Sequence, residues 1–259
     1  MSYVVKLGGH SLDSLSPTSP ILTSLASDLA ELSPQVVLVH GGGPQIAALL
    51  DAVGHDSRFH EGLRITDEIT MEYVAMALSH VNVHLVAALG RSGLRCLGLS
   101  GVDGATLRSQ AVGAPWGRIG ASPKVDPDIV LDLWSRHVIP VLSPIALDDN
   151  GDLLNCNADV AAGALAGALG AEALVLLSDV DQLRGDPDDP STSLGSVSAE
   201  TVRAMLASGA VRDGMRPKMS AALDALDAGA RRVVLANGTR HHALRDTLAG
   251  TIATTEVLA

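Results

Sequence analysis

Short apolar runs recur along the chain. Most are closed by a glycine, serine, histidine or aspartate, and a longer segment with apolar positions every three or four residues usually follows. The runs at 3–7, 36–40, 94–99, 138–143, 173–178 and 232–236 are mostly β-branched or Leu-rich, which predicts buried strands. The segments 21–32, 45–52, 67–89, 126–134, 158–169, 199–207, 215–228 and 242–248 have helical spacing. Strand and helix in alternation predict an α/β fold with a mainly parallel sheet covered on both sides. Two stretches break the rhythm. Residues 104–124 scatter glycines among short mixed runs, as a β-hairpin excursion would. Residues 186–191 form an acidic, proline-broken loop.

Composition changes this picture in three ways. Of 259 residues, 47% are hydrophobic but only 2% aromatic, so Ala, Leu and Val must fill the core. The net charge of -11 argues against nucleic acid or an anionic membrane as partner. Two cysteines, Cys96 and Cys156, do not make a disulfide framework, and the amino terminus enters its first apolar run with no signal pattern before it. No uninterrupted apolar stretch reaches about 18 residues. The expectation is a soluble, cytoplasmic protein, a single unit over 1–259 in two lobes, with no composition shift to mark a linker.

The candidate chemistry sits at strand ends. The first strand closes with Lys6-Leu7-Gly8-Gly9, where paired glycines let backbone amides approach an anion. A tight turn with a surface lysine gives the same letters. The second strand closes with His40-Gly41-Gly42-Gly43-Pro44-Gln45, a turn that sets bare amides at a helix start. It matches neither the P-loop nor the dinucleotide fingerprint, and close packing alone can demand such glycines. Arg64 precedes a helix that Thr66 or Asp67 can cap; it is free to grip a carboxylate or to lie in solvent. Asn155-Cys156-Asn157-Ala158-Asp159 opens an Ala-rich helix, with Asn157 also readable as its N-cap and Cys156 as a small buried hydrophobe. Ser178-Asp179-Val180 ends a buried strand at a carboxyl edge, where open α/β sheets bind ligands. Asp213 to Lys218 starts a helix, and a lysine in a first turn runs against the helix dipole, which hints at an anionic partner.

The order of these pieces is specific. K-x-G-G, H-G-G-G-P-Q, G-L-R-I-T-D, S-G-V-D-G (100–104), N-x-N-A-D, L-L-S-D-V and G-M-x-P-K together resemble the amino-acid kinase family, in particular its acetylglutamate kinases, over nearly the whole chain. The resemblance implies a three-layer αβα sandwich. A lobe of about 1–170 would hold the amino-acid substrate and form a dimer, and a lobe of about 171–259 would hold ATP. The implied reaction moves the γ-phosphoryl of MgATP to the side-chain carboxylate of N-acetyl-L-glutamate in arginine biosynthesis. Lys6 and Lys218 would stabilise the transferring group, with Asp159 orienting both. Gly42, Gly43, Arg64, Asn155 and Asn157 would hold the acyl amino acid. Gly8, Gly9, Ser178, Asp179, Val180, Leu183, Arg184, Ala210, Val211, Arg212 and Gly214 would contact phosphates or nucleotide. No metal ligand is expected from the chain, because Mg2+ would ride mainly on the nucleotide phosphates.

Two positions depart from the family pattern. Asp181-Gln182-Leu183 replaces a Gly-containing turn, and His84 stands where a lysine is usual. The first strand starts at residue 3, so the expected assembly is a homodimer without arginine feedback. The rival readings are a kinase for carrier-bound aminoadipate or glutamate, and a catalytically silent amino-acid sensor. Intact G-G-G-P-Q and G-L-R-x-T motifs count against the first, and the joint presence of Lys6, Asp159 and Lys218 against the second.

Overall fold

The structure is a computed structural model that describes residues 1–259 apart from Ser33, Pro34 and Asp213, and apart from the side chains of Gly9 and His10. The acidic residue of the Asp213–Lys218 segment therefore lies outside the described residues. Eight strands form the central sheet: β1 (Tyr3–Leu7), β2 (Val36–His40), β3 (Cys96–Ser100), β4 (Ile139–Ser143), β5 (Ala173–Ser178), β6 (Ser196–Ser198), β7 (Arg232–Asn237) and β8 (Thr255–Leu258). Their order across the sheet is β6-β8-β7-β5-β1-β2-β4-β3. All neighbours pair in parallel except β7 with β8. The six expected strands are present within two residues of their predicted ends. The short β6 and β8 were not expected.

Eight helices cover the sheet: α1 (Pro20–Glu31), α2 (Gly43–Ala52), α3 (Glu68–Arg91), α4 (Asp128–Ser135), α5 (Ala158–Ala168), α6 (Ala199–Ser208), α7 (Met215–Asp227) and α8 (Ala243–Leu248). Successive strand residues point to opposite faces, and the core divides accordingly. Val4, Val37, Val39, Leu174 and Leu176 pack with residues of α4, α5, α6 and α7. Val5, Leu7, Leu38, Val175 and Leu177 pack with α1, α3 and α8. This is the expected three-layer αβα sandwich. Lys6 lies two residues after Val4, so its side chain leaves β1 on the α5 face. The few aromatics are placed with care: Trp134 is buried in α4 and donates its indole N–H to the Val36 carbonyl at 2.9 Å.

Small residues let α5 and α7 touch. A Cβ at Gly163 would come within 2.7 Å of the Ala221 carbonyl, and one at Gly167 within 2.3 Å of the Ala228 Cβ. The seam therefore fixes the first turn of one helix relative to the other. Helix α3 is long and apolar enough to cross a membrane by length and composition. Here Val74, Leu78, Val81 and Leu85 are buried against α2, α1 and the sheet, as in a core helix.

The 104–124 region is more than a hairpin. Strands Leu107–Arg108, Ala111–Gly113, Gly117–Gly120 and Lys124–Val125 join Ile145–Leu147 and Leu153–Asn155 in a second, six-stranded sheet over the carboxyl end of β2 and β4. Trp116 sits in its turn, half-buried, and donates to the His60 carbonyl at 3.2 Å. Arg118 ties the same turn to Glu68 at 3.0 Å and Asp152 at 2.8 Å.

Candidate active site

Three charged side chains meet at the carboxyl end of β1. Asn157 caps α5, its side-chain oxygen accepting from the amides of Asp159 at 2.8 Å and Val160 at 3.3 Å. The cap places Asp159 in the first turn, facing the sheet. Lys6 Nζ lies 2.8 Å from Asp159 Oδ1, and Lys218 Nζ, from the first turn of α7, lies 3.4 Å from Oδ2. The Lys6 contact acts first through charge. Burial is the largest influence on Asp159 and opposes its ionisation. The two ammonium groups together outweigh it and hold the carboxyl below the usual carboxylate range. One carboxylate against two lysines leaves a net positive charge at the cleft.

Gly8 makes room for this arrangement. A Cβ there would stand 2.1 Å from Lys6 Nζ. Its amide donates to the Leu177 carbonyl at 3.1 Å, so it is not the free anion donor the sequence suggested. The Gly41 amide is likewise committed, to the Leu7 carbonyl at 2.9 Å. Gly42 and Gly43, at the start of α2, face a cleft of about 200 Å³. Lys6, Arg64, Asn155, Asn157 and Asp159 line the same cleft.

Arg64 is buried in that wall. It donates to the Gly43 carbonyl at 3.2 Å and to Ser57 Oγ, and its guanidinium stacks 4.7 Å from the centre of the Phe59 ring. Desolvation pulls its pKa below the ordinary arginine value, yet the group stays charged. Among the described residues no carboxylate lies within ion-pair distance of it. A buried guanidinium without an acid is costly alone, so the site is built to receive one. Asn155 donates to Thr66 Oγ1 at 3.2 Å, which ties the second sheet to the Arg64 turn. Asp67, not Thr66, caps α3 through the Thr70 amide at 2.7 Å.

A second, wider cleft of about 590 Å³ opens beyond β5. Val180, Leu183, Val211 and Met215 give it apolar walls, and Arg184, Arg212 and Arg240 give it cations beside Asp179, Asp181 and Asp188. The Asp181-Gln182-Leu183 turn is held by side chains in place of a glycine conformation. Asp181 accepts from Arg240 at 2.6 Å, and Gln182 donates to the Thr254 carbonyl at 2.9 Å.

The sequence profile of the Amino acid kinase family matches residues 1–237. The chain belongs to that family. Among curated relatives, the acetylglutamate kinase of Methanopyrus kandleri is 39% identical over 242 residues, covering 90% of this chain and 94% of its own. The acetylglutamate kinase of Thermus thermophilus is 43% identical over 217 residues, 84% of this chain and 86% of its own. Among solved structures, N-acetylglutamate synthase from Neisseria gonorrhoeae, complexed with coenzyme A and N-acetyl-glutamate, superposes with a TM-score of 0.83. It is 24% identical and matches 100% of this chain but 59% of that one, a likeness of fold alone.

In this amino acid kinase the expected residues fall into three groups. Lys6, Gly42, Gly43, Arg64, Asn155, Asn157 and Asp159 share the narrow cleft, with Lys218 joining through Asp159. Asp179, Val180, Leu183, Arg184, Ala210, Val211 and Arg212 share the wide one. The rest line neither cleft. Ser178 is buried and its hydroxyl accepts from the Val180 amide at 3.4 Å, shaping the turn below the cleft floor. Gly214 caps α7, with its carbonyl 3.4 Å from Lys218 Nζ. Gly9 belongs to a short 3-10 turn, Gly9–Leu12. Asn157 keeps only its amide nitrogen for a ligand, its oxygen being spent on the cap. Cys156 is a buried hydrophobe, its thiol pushed by burial up to about 12. Arg240 and the His40–Asn82 pair were missed, because contacts spanning 59 and 42 residues leave no local signal.

Proposed function

We propose that this amino acid kinase transfers the γ-phosphoryl of ATP to the side-chain carboxylate of N-acetyl-L-glutamate, a step of arginine biosynthesis. The observation that carries the reading is the Lys6–Asp159–Lys218 cluster beside a cleft whose Arg64 has no acid partner among the described residues. The curated relatives, acetylglutamate kinases at 39% and 43% identity, agree with it.

The acceptor is already a carboxylate, so no general base is required; alignment and charge neutralisation do the catalysis. Arg64 would grip the α-carboxylate, with Asn155 and the Asn157 amide on the acyl group. The side-chain carboxylate would then meet the phosphoryl group between Lys6 and Lys218, near the Gly42 amide. Fixed donors aimed at developing charge in a dry site are each worth about 3–4 kcal/mol. Asp159 would direct both lysines by its contacts with their ammonium groups. The wide cleft suits a nucleotide, with apolar walls for the base and Arg184 and Arg212 for phosphates. Asp159 is committed to two lysines, so Mg2+ would be carried mainly by those phosphates. The two clefts support a division into a substrate lobe of about 1–170 and a nucleotide lobe of about 171–259.

A homodimer is part of the proposal. Ile69, Met76 and Val83 are spaced by seven on α3 and are 60%, 56% and 66% exposed, forming one apolar stripe. Beside it runs the sheet's terminal strand β3, with Leu97 exposed and an unpaired edge that a second copy would cover. Free thiols at Cys96 and Cys156 suit a cytoplasmic setting.

The test is ATP-dependent acyl-phosphate formation trapped as hydroxamate, with N-acetyl-L-glutamate set against glutamate, aspartate and aminoadipate. Strong preference for N-acetyl-L-glutamate is expected. Turnover of none of them would redirect attention to a carrier-bound acceptor or a silent sensor.

A further inference from the structure

We propose that His40 is a positioning residue: its bond to the Gly41 carbonyl aims the Gly42 amide into the narrow cleft. His40 is the last residue of β2, is fully buried, and does not line either cleft. Its Nδ1 lies 2.9 Å from the Gly41 carbonyl oxygen. A carbonyl only accepts, so Nδ1 carries the proton. On the other side, Asn82 Nδ2 stands 3.0 Å from Nε2. The same Asn82 nitrogen lies 2.9 Å from the Val141 carbonyl and 3.3 Å from the Leu99 carbonyl. Those two acceptors require the amide nitrogen at that position; an amide nitrogen accepts nothing, so a proton on Nε2 would face no acceptor there, and a bare Nε2 shares the two amide hydrogens with the carbonyls. Both sides thus select one neutral tautomer. Burial, partly opposed by the Gly41 bond, also pushes the imidazole down to about 4, which keeps it neutral at ordinary pH.

The consequence follows from peptide geometry. In a planar trans peptide the C=O and N–H point in opposite directions. The Gly41–Gly42 peptide has its oxygen held at His40, so its N–H, that of Gly42, faces away from the ring. Gly42 lines the cleft shared with Lys6 and Asp159. With glycine on both sides, no Cβ of its own restricts this peptide, so its direction is set by the hydrogen bonds it makes. The Gly41 N–H anchors the near end on the Leu7 carbonyl at 2.9 Å. His40 holds the far end, and Asn82 braces the ring against β3 and β4.

The effect on turnover rests on the phosphoryl-transfer reading; the tautomer does not. Asn and Gln separate the two ring nitrogens. The Asn amide nitrogen occupies the place of Nδ1, whereas the Gln amide lies near Nε2. His40→Gln is expected to lower kcat about 10–100-fold, less than outright loss of one oxyanion donor, with the KM for ATP within about twofold. His40→Asn is expected to recover most of that loss at a similar melting temperature. Equal kcat in the two variants, or full activity in H40Q, would overturn the proposal. Nitrogen-15 spectra of the imidazole in the unsubstituted enzyme give a second decision that needs no turnover. A neutral ring protonated at Nδ1 from pH 5.5 to 8 supports the assignment; an Nε2-protonated or charged ring refutes it. Absence of turnover on every acyl amino acid would sink the substrate reading and leave the spectra to decide about His40.

Discussion

The narrow and wide clefts are built by different means. Every charge in the narrow one sits on a strand end, a helix first turn or a braced hairpin, and is buried or held by named partners: Lys6, Asp159 and Lys218 by each other, Arg64 by Gly43, Ser57 and Phe59. In the wide one, Arg212 and Asp188 are 63% and 87% exposed and 4.0 Å apart, and Arg184 donates to the Pro187 carbonyl in its own loop. A bond-making site needs atoms held within fractions of an ångström, so rigid elements carry it. A site that binds and releases a nucleotide tolerates loops, because exposed charges contribute little singly and act together.

Substitutions can break this contrast, and the largest effect falls on Asp159. Asp159→Asn leaves two lysines facing each other without a counter-charge. Stability is expected to fall by about 3–5 kcal/mol in urea titration, and turnover with it. The same carboxyl sets an acid limb. Its folded pKa lies below its unfolded value, so the unfolded chain binds more protons in between, and stability rises with pH across that window. The contribution is complete above about pH 4 and is lost as pH drops through the depressed value; Asp159→Asn abolishes that limb. Next comes Lys218→Ala, expected to cost roughly 10²–10³ in kcat while keeping the fold by circular dichroism. Unchanged kcat would remove Lys218 from the reacting centre. Arg64→Lys sharpens the distinction between clefts. It loses the forked contact and the stacking on Phe59, so the KM for the acyl amino acid is expected to rise about tenfold or more while that for ATP stays put. The smallest effect belongs to the wide cleft: Arg212→Ala is expected to raise the KM for ATP by about two- to fivefold. A loss as large as that of Lys218→Ala would erase the contrast.

The narrow cleft was largely legible in the sequence because its residues lie at the ends of strongly patterned elements. A buried run ending in Lys6, a glycine turn opening α2 and a capped Ala-rich helix each locate their side chains by local rules. Beyond the strand end at Ser178-Asp179-Val180, the wide cleft was legible only through resemblance, since residues 181–194 and 209–214 follow no period. Strands β6 and β8 were missed for a related reason. Ser196, Ser198 and Glu256 put polar groups on short strands at the sheet's edge, where one face meets solvent. Gly8 and Ser178 were placed on phosphates or nucleotide by the resemblance; in the structure Gly8 leaves space for Lys6 and the Ser178 hydroxyl accepts from the Val180 amide. Hydrogen bonds between distant elements, such as Asn82 to His40 and Arg240 to Asp181, appear only when the fold is closed.

The two tryptophans give the molecule an internal optical reference. Trp134 is locked in the core with its indole on the Val36 carbonyl, so its emission follows global unfolding and ignores the clefts. Trp116 lies half-buried in the turn of the second sheet, its ring 5.2 Å from that of His60 and its backbone paired with Thr66, two residues from Arg64. In a chain with a single phenylalanine and two tyrosines, these indoles dominate the ultraviolet signal. One reports that the protein is folded, and the other reports on the turn that pairs with the Arg64 segment beside the narrow cleft.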